Sequence, residues 1–165
     1  MQVVHKRLPD SYKEHDGNGM AGMLAQPLLA PGYTVRTVML QDYTLKPGER
    51  KVLAYVEADS AVLVYAHMVI DSPYVVLRTI IDGEINGGHP YALYNYGFTC
   101  PYSDICVAKY DTTNNIYTVV FRPRWPIEMR IGAVEMENPT TSAVTVVNAF
   151  ALLQVRGLRR LLVAY

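Results

Sequence analysis

The stretch that decides the fold of this chain runs from Leu45 to Glu84 and is LKPGERKVLAYVEADSAVLVYAHMVIDSPYVVLRTIIDGE. A Lys-Pro-Gly turn opens it, and three runs rich in Val, Ile, Leu and Tyr follow, at 49–57, 60–70 and 74–82. Asp59-Ser60 and Asp71-Ser72-Pro73 separate these runs. Small polar residues and Pro favour turns, whereas β-branched and aromatic residues favour strands. The stretch therefore predicts consecutive antiparallel β-strands.

Alternation within 60–70 indicates which side of that strand faces the core. Successive side chains of a strand point to opposite faces of the sheet. The even positions are apolar, whereas Tyr65 and His67 occupy odd positions. The pattern predicts a core face formed by Val62, Val64, Ala66, Met68 and Ile70.

The rest of the chain after residue 32 also alternates between strand-like runs and turns. Further β-rich runs lie at 33–40, 91–98, 105–110, 115–122, 128–137 and 142–155, with turn residues between them. No segment of convincing length shows the period of a helix. Many short strands and no helices predict an all-β protein, an antiparallel two-sheet β-sandwich, with the jelly roll as the expected form.

Two parts of the chain are distinguished by composition. Residues 1–32 are rich in Gly and Pro and predict an extended N-terminal arm, which packs its apolar residues on its own domain or on a neighbouring subunit. Residues 33–165 form the predicted sandwich domain. Its last residues, 158–165, combine Arg with Leu and predict a C-terminal edge strand or docking tail.

Composition restricts the classes of function. The 165 residues include 15 Lys plus Arg and 15 Asp plus Glu, so the formal net charge is zero. Such a chain has no long-range field that attracts nucleic acid, and no specific nucleic acid is expected. The apolar runs are too short for a membrane span, and charges near the N-terminus argue against an export signal.

Sites for metals and cofactors are not indicated. Cys100 and Cys106 are either bridged or free, and no Cys-x-x-Cys pair is present. The residues from Asp82 to Gly87 resemble the start of a calcium loop, but Leu93 occupies the twelfth position, where a Glu should close the cage. We therefore predict hairpin turns at Asp82-Gly83 and at 86–88, with no metal and no cofactor.

Catalytic motifs are also not indicated. No histidine lies beside a Ser or Cys nucleophile, and neither a phosphate loop nor a dinucleotide fingerprint occurs. We predict a protein that is not an enzyme. The competing hypothesis is a sandwich-fold enzyme that uses Asp71, Asp82 or His89.

Aromatic residues are the strongest candidates for a functional site. The chain has 13 Tyr, and five aromatic residues crowd the segment 91–102. They pack inside the fold, anchor a protein interface or stack on sugars, and the sequence leaves these three interpretations open. The predicted interface residues are Met20, Met23, Leu28, Leu29, Tyr91, Tyr94, Tyr96, Trp125, Arg159 and Arg160.

A family resemblance rests on the order of four turns. These are Leu45-Lys46-Pro47-Gly48-Glu49, Asp71-Ser72-Pro73, Ile81-Asp82-Gly83-Glu84 and Asn138-Pro139-Thr140-Thr141. In this order the chain resembles small β-sandwich structural proteins of bacteriophage virions, such as head decoration or minor capsid proteins, over roughly residues 40 to 155. No functional residue is carried over.

The resemblance implies a non-enzymatic role in the virion, which is assembled in the host cytoplasm. It implies binding to capsid or other virion proteins, usually as a homo-oligomer and commonly as a trimer. Two alternatives stay open: a carbohydrate- or receptor-binding module, and a single jelly-roll capsid subunit or tail component.

Overall fold

The computed structural model describes residues 32–164. It contains eight strands and one short helix in this range. In chain order they are β1 (Thr34–Leu45), β2 (Arg50–Ile70), β3 (Val76–Ile81), β4 (Glu84–Gly88), α1 (Pro90–Asn95), β5 (Ile105–Asp111), β6 (Ile116–Phe121), β7 (Glu128–Glu137) and β8 (Val144–Val163). Nearly all of the predicted arm, including Met20, Met23, Leu28 and Leu29, lies outside the described residues.

Two long strands, β2 and β8, form the centre of the fold. They pair antiparallel along almost their whole length, from Ala54 opposite Val163 to Ile70 opposite Val146. On its other edge, β2 pairs first with β7 and then, from residue 66 onwards, with β6. Hydrogen bonds join all eight strands, and the two long strands connect two parts of this arrangement, which we describe as two sheets with the orders β1-β8-β2-β6-β5 and β8-β2-β7-β3-β4.

The strand order is that of a jelly roll. When the two halves of β2 are counted as strands 2 and 3, β3 and β4 become strands 4 and 5. If β5 is left out of the count, β6, β7 and β8 keep their numbers. The two sheets then read 1-8-3-6 and 2-7-4-5, and β5 lies beside β6. The inward side chains of both sheets belong to one hydrophobic core. The predicted all-β antiparallel class is confirmed.

The break predicted at Asp59-Ser60 is not a turn between two strands. Residues 50–70 form one strand, but its pairing is irregular at this place. Glu57 lies opposite Ile131 and Ala61 lies opposite Met129, so β2 carries extra residues here. Such bulges bend a strand. The polar break marks where β2 passes from one sheet to the other.

The predicted core face of 60–70 is correct only in its second half. Ala66, Met68 and Ile70 are fully buried in the core. Leu63 pairs with Leu153 and Tyr65 with Leu152, so Val64 is an extra residue in the ladder. One extra residue exchanges the two faces of a strand. Before this bulge the core residues are Ala61 and Leu63, and the prediction of Val62 and Val64 was wrong.

The prediction of a strand at 91–98 was wrong, because residues 90–95 form α1. The side chain of His89 accepts a hydrogen bond from the backbone N–H of Ala92 at 3.2 Å and caps the helix. Pro90 occupies the first turn, where a missing N–H costs nothing. The aromatic residues of 91–98 favour strands, and this preference concealed the helix.

One of the two predicted hairpin turns is correct. Asp82 and Gly83 have φ angles of 47° and 92° and join β3 to β4 as a two-residue turn. The segment 86–88, by contrast, is part of β4 and pairs with β3. A membrane-spanning helix is not found between residues 32 and 164, where α1 has only six residues and a span needs about 20.

Candidate interface of exposed aromatic residues

Helix α1 presents two tyrosines to solvent and one leucine to the interior. Leu93 is buried, whereas Tyr91 and Tyr94 are 45% and 49% exposed. The helix ends at Asn95, and the backbone N–H of Phe98 then donates to the carbonyl of Leu93 at 2.8 Å. This bond holds the following segment against the helix.

Ring contacts fix the tyrosines of α1. The ring of Tyr94 stacks on that of Tyr110 at 4.3 Å, and Tyr110 meets Tyr117 edge-on at 5.0 Å. On the other side, Tyr91 lies 5.5 Å from Tyr74. Aromatic pairs at these separations contribute stability beyond the area they bury. The exposed rings are therefore held in place before any partner binds.

Two loops near the start of β5, away from Tyr110, also carry aromatic residues. Cys100 and Cys106 form a disulfide, which closes the loop that carries Tyr102. The Asp104 carbonyl accepts from the backbone N–H of Arg122 at 2.6 Å, and its carboxylate accepts from the backbone N–H of Arg124 at 3.2 Å. Asp104 thus joins the disulfide loop to the loop that carries Trp125.

We group the exposed aromatic side chains of these segments under the name aromatic rim. Its members are large rings that are at least 45% exposed and that lie on or beside α1, β5 and the two loops. Tyr96, Tyr102 and Trp125 are the most exposed, at 79%, 76% and 80%. The aromatic rim consists of Tyr74, Tyr91, Tyr94, Tyr96, Phe98, Tyr102 and Trp125.

The structure separates the predicted interface residues into groups. Tyr91, Tyr94, Tyr96 and Trp125 all belong to the aromatic rim and face solvent. Arg159 and Arg160 lie instead at the end of β8, which is the far edge of the second sheet from β4.

Both arginines at the end of β8 have contacts within the chain. Arg159 binds the carboxylate of Asp59 at 2.6 Å, and Arg160 lies 5.7 Å from the ring centre of Tyr55. Met20, Met23, Leu28 and Leu29 lie outside the described residues.

Two tyrosines of this region were missed by sequence reasoning. Tyr74 is 17 positions before Tyr91, and Tyr110 is 16 positions after Tyr94. Only the tertiary structure brings each beside its partner. Burial raises the pKa of Tyr110, and the neighbouring tyrosines add to this effect. Tyr110, which stacks on Tyr94, is therefore uncharged at neutral pH.

The candidate catalytic residues have structural contacts. The carboxylate of Asp71 accepts from the N–H of Thr145 at 2.9 Å, and that of Asp82 accepts from the N–H groups of Arg130 and Ile131. His89 caps α1. The part of the chain that the structure describes contains no group of His, Cys, Asp and Glu that could hold a metal ion.

No family model and no curated protein matches the chain. The physical properties of the aromatic rim are therefore the basis for assigning a role. Large exposed aromatic side chains, some of them held by ring contacts, suit burial in a protein interface or stacking on a planar or sugar ligand.

Proposed function

We propose that this chain is a structural protein of a virus particle, a capsid decoration protein or minor capsid subunit. In this role it stabilises the particle by binding other capsid subunits through the aromatic rim. The observation that carries the proposal is the high exposure of Tyr96, Tyr102 and Trp125, which lie in the connections that follow α1 and β6. Tyr and Trp are enriched among the residues that contribute most to protein interfaces.

Charge and fold support the same role. The formal net charge is zero, so many copies can lie close together on a shell without long-range repulsion. The jelly roll is a common architecture of capsid proteins. The turns that resemble those of bacteriophage structural proteins belong to this scaffold rather than to the rim.

The test begins with the natural assembly. The tagged full chain is purified from the cells that produce it and is examined by electron microscopy. We expect shells or tails that carry the chain in many copies. Recovery of the chain without any assembled particle would contradict the proposal. The images also distinguish a subunit bound on the shell from one that builds the shell or the tail.

A pair of variants tests the surface itself. Replacing Tyr96 and Trp125 together by Ala removes two of the largest exposed rings and should lower the number of chains per particle about tenfold or more. The matched control is Ile131→Ala, because Ile131 is 45% exposed but lies on β7, outside the rim. Equal occupancy by both variants would assign the contact to another surface.

Carbohydrate binding is the second candidate function. Asp104 holds the loops of Tyr102 and Trp125 together, and exposed aromatic rings on such loops can stack on sugar rings. A glycan array probed with the full chain separates the two functions. Hits that disappear in Trp125→Ala would favour a carbohydrate-binding module, and an array without hits would exclude it.

A further inference from the structure

The outer faces of the two sheets differ in chemistry. The outer face of the second sheet carries ion pairs, with the Glu137 carboxylate 2.6 Å from Arg78 and 3.3 Å from Arg50. The central part of the outer face of the first sheet, on β2, β6 and β8, contains uncharged residues, whereas Lys109 and Arg156 lie at its margins. We call it the outer apolar face and define it by Val62, Tyr65, His67, Val69, Val120, Asn148, Phe150 and Leu152.

The residues of the outer apolar face point away from the core but are shielded from water. They alternate along their strands with core residues such as Ala66, Val119 and Ala151. Nevertheless, His67 is 2% exposed and Leu152 is 6% exposed. Side chains stand roughly perpendicular to a sheet, so those on a bare face keep their tips in water. Exposures as low as those of His67 and Leu152 on an outer face require other residues that cover the face.

The elements between residues 32 and 164 do not provide this cover. All eight strands take part in the two sheets, and α1 packs on β5 and β6. Its Tyr94 stacks on Tyr110, whose ring packs against the core rather than on the outer apolar face. The strands and the helix between residues 32 and 164 therefore do not account for the burial of the outer apolar face.

The chain enters β1 from the side of the outer apolar face. The residue before β1, Tyr33, has its ring 5.2 Å from the guanidinium of Arg156. Its hydroxyl lies 2.5 Å from Ser60 Oγ and donates to Glu128 at 2.8 Å. Ser60 and Arg156 are cross-strand partners next to the core pair Ala61 and Val155, so they point outwards. The side chain of Tyr33 therefore extends from β1 across β8 to β2 on the outer side of the first sheet.

Length and charge make the preceding segment a suitable cover. Thirty-one residues precede Gly32, and fully extended they reach about 100 Å. The five strands of the first sheet span only about 19 Å. Residues 17–31 contain no charged side chain but include Met20, Met23, Leu24, Leu28 and Leu29. An uncharged apolar segment matches an uncharged apolar face.

We propose that the outer apolar face is the binding surface for residues 1–31 of the same chain, with residues 17–31 packed over His67, Phe150 and Leu152. The segment then completes the fold of its own subunit instead of exchanging with a neighbour. This inference does not depend on the proposed function, because it concerns a different surface and an intramolecular contact.

Photocrosslinking of the full chain tests the proposal. Phe150 is replaced by benzoylphenylalanine, a conservative change on the outer apolar face. Isotope-labelled and unlabelled chains are mixed before irradiation, and mass spectrometry identifies the crosslinked peptides. The matched control places the same probe at Tyr55, an aromatic residue on the outer face of the second sheet.

We expect crosslinks from position 150 to residues 1–31 of the same isotopic chain, and none to that segment from position 55. The double substitution of Leu28 and Leu29 by Asp should reduce the crosslink from position 150 about tenfold or more, because it places charges on an apolar surface. Crosslinks to the other isotopic chain, crosslinks only within 32–164, or no crosslink at all would each overturn the proposal.

Discussion

The imidazole of His67 lies 2.8 Å from the side-chain oxygen of Asn148 on the neighbouring strand, and both residues are 2% exposed. The ring of Phe150 stacks against the imidazole at 5.7 Å. Burial lowers the pKa of His67 to about 4, although the hydrogen bond to Asn148 acts in the opposite direction. A neutral histidine thus lies in the outer apolar face, whose other members are uncharged.

The first prediction concerns the pH dependence of stability. The pKa of His67 is about 4 in the folded chain and 6.5 when exposed, so only the unfolded state gains a proton between these values. The free energy of unfolding should be fully present above pH 6.5 and should fall by roughly 3 kcal/mol towards pH 4. In His67→Gln this dependence should be absent. Urea unfolding of both proteins at several pH values measures the difference, and parallel profiles would contradict it.

The second prediction concerns Asn138, which is fully buried and joins two turns. Its amide group donates to the carbonyls of Leu45 at 3.0 Å and Ser142 at 2.8 Å, and its oxygen accepts from Thr140. Asn138→Ala removes these bonds from a fully buried site and takes the side-chain donor away from the buried carbonyl of Leu45, so it should lower the free energy of unfolding by about 2–4 kcal/mol.

The control for this prediction is Asn114→Ala. Asn114 lies in an exposed turn and donates to Asp111 at 2.9 Å. Its loss should cost less than about 1 kcal/mol in the same denaturant titration. Similar losses for both variants would show that the buried network does not stabilise the turns.

The third prediction concerns the disulfide between Cys100 and Cys106. It closes a loop of six positions, and its removal should lower the free energy of unfolding by about 2 kcal/mol. The double variant with Ala at both positions avoids placing a hydroxyl at Cys106, which is buried. Thermal unfolding measures the loss, and the reduced wild-type protein should match the variant. A variant as stable as the oxidised protein would contradict this expectation.

The fourth prediction uses the single tryptophan of the chain. Trp125 is 80% exposed, so its fluorescence should resemble that of hydrated indole and should be quenched readily by iodide. When the chain joins its assembly, burial of the ring should shift the emission to shorter wavelength and reduce quenching. Emission that does not change on assembly would place Trp125 outside the contact.

Some of the fold could be predicted because it depends on neighbouring residues. Asp82 and Gly83 form the predicted hairpin turn, since both residue types tolerate positive φ. The alternation from Ala66 to Ile70 correctly identified its core face. The bulge at Val64 could not be predicted, because it depends on where β2 pairs with β8, more than eighty positions later.

The candidate site could also be predicted only in part. Tyr91, Tyr94, Tyr96 and Trp125 were identified as candidates from their residue types, and all four are exposed. Their surroundings were not predicted, because the helix depends on the cap at His89 and because Tyr74 and Tyr110 come from distant strands.

By itself, the sequence determined that this protein is made of antiparallel strands, since turn chemistry and strand preference act between residues a few positions apart. Only the tertiary structure decided how those strands divide into two sheets, why β2 and β8 belong to both, and why His67 is buried on an outer face. Register, ring contacts and covering layers are formed by residues far apart in the chain. Their free energies depend on geometry that exists only once the whole domain has folded.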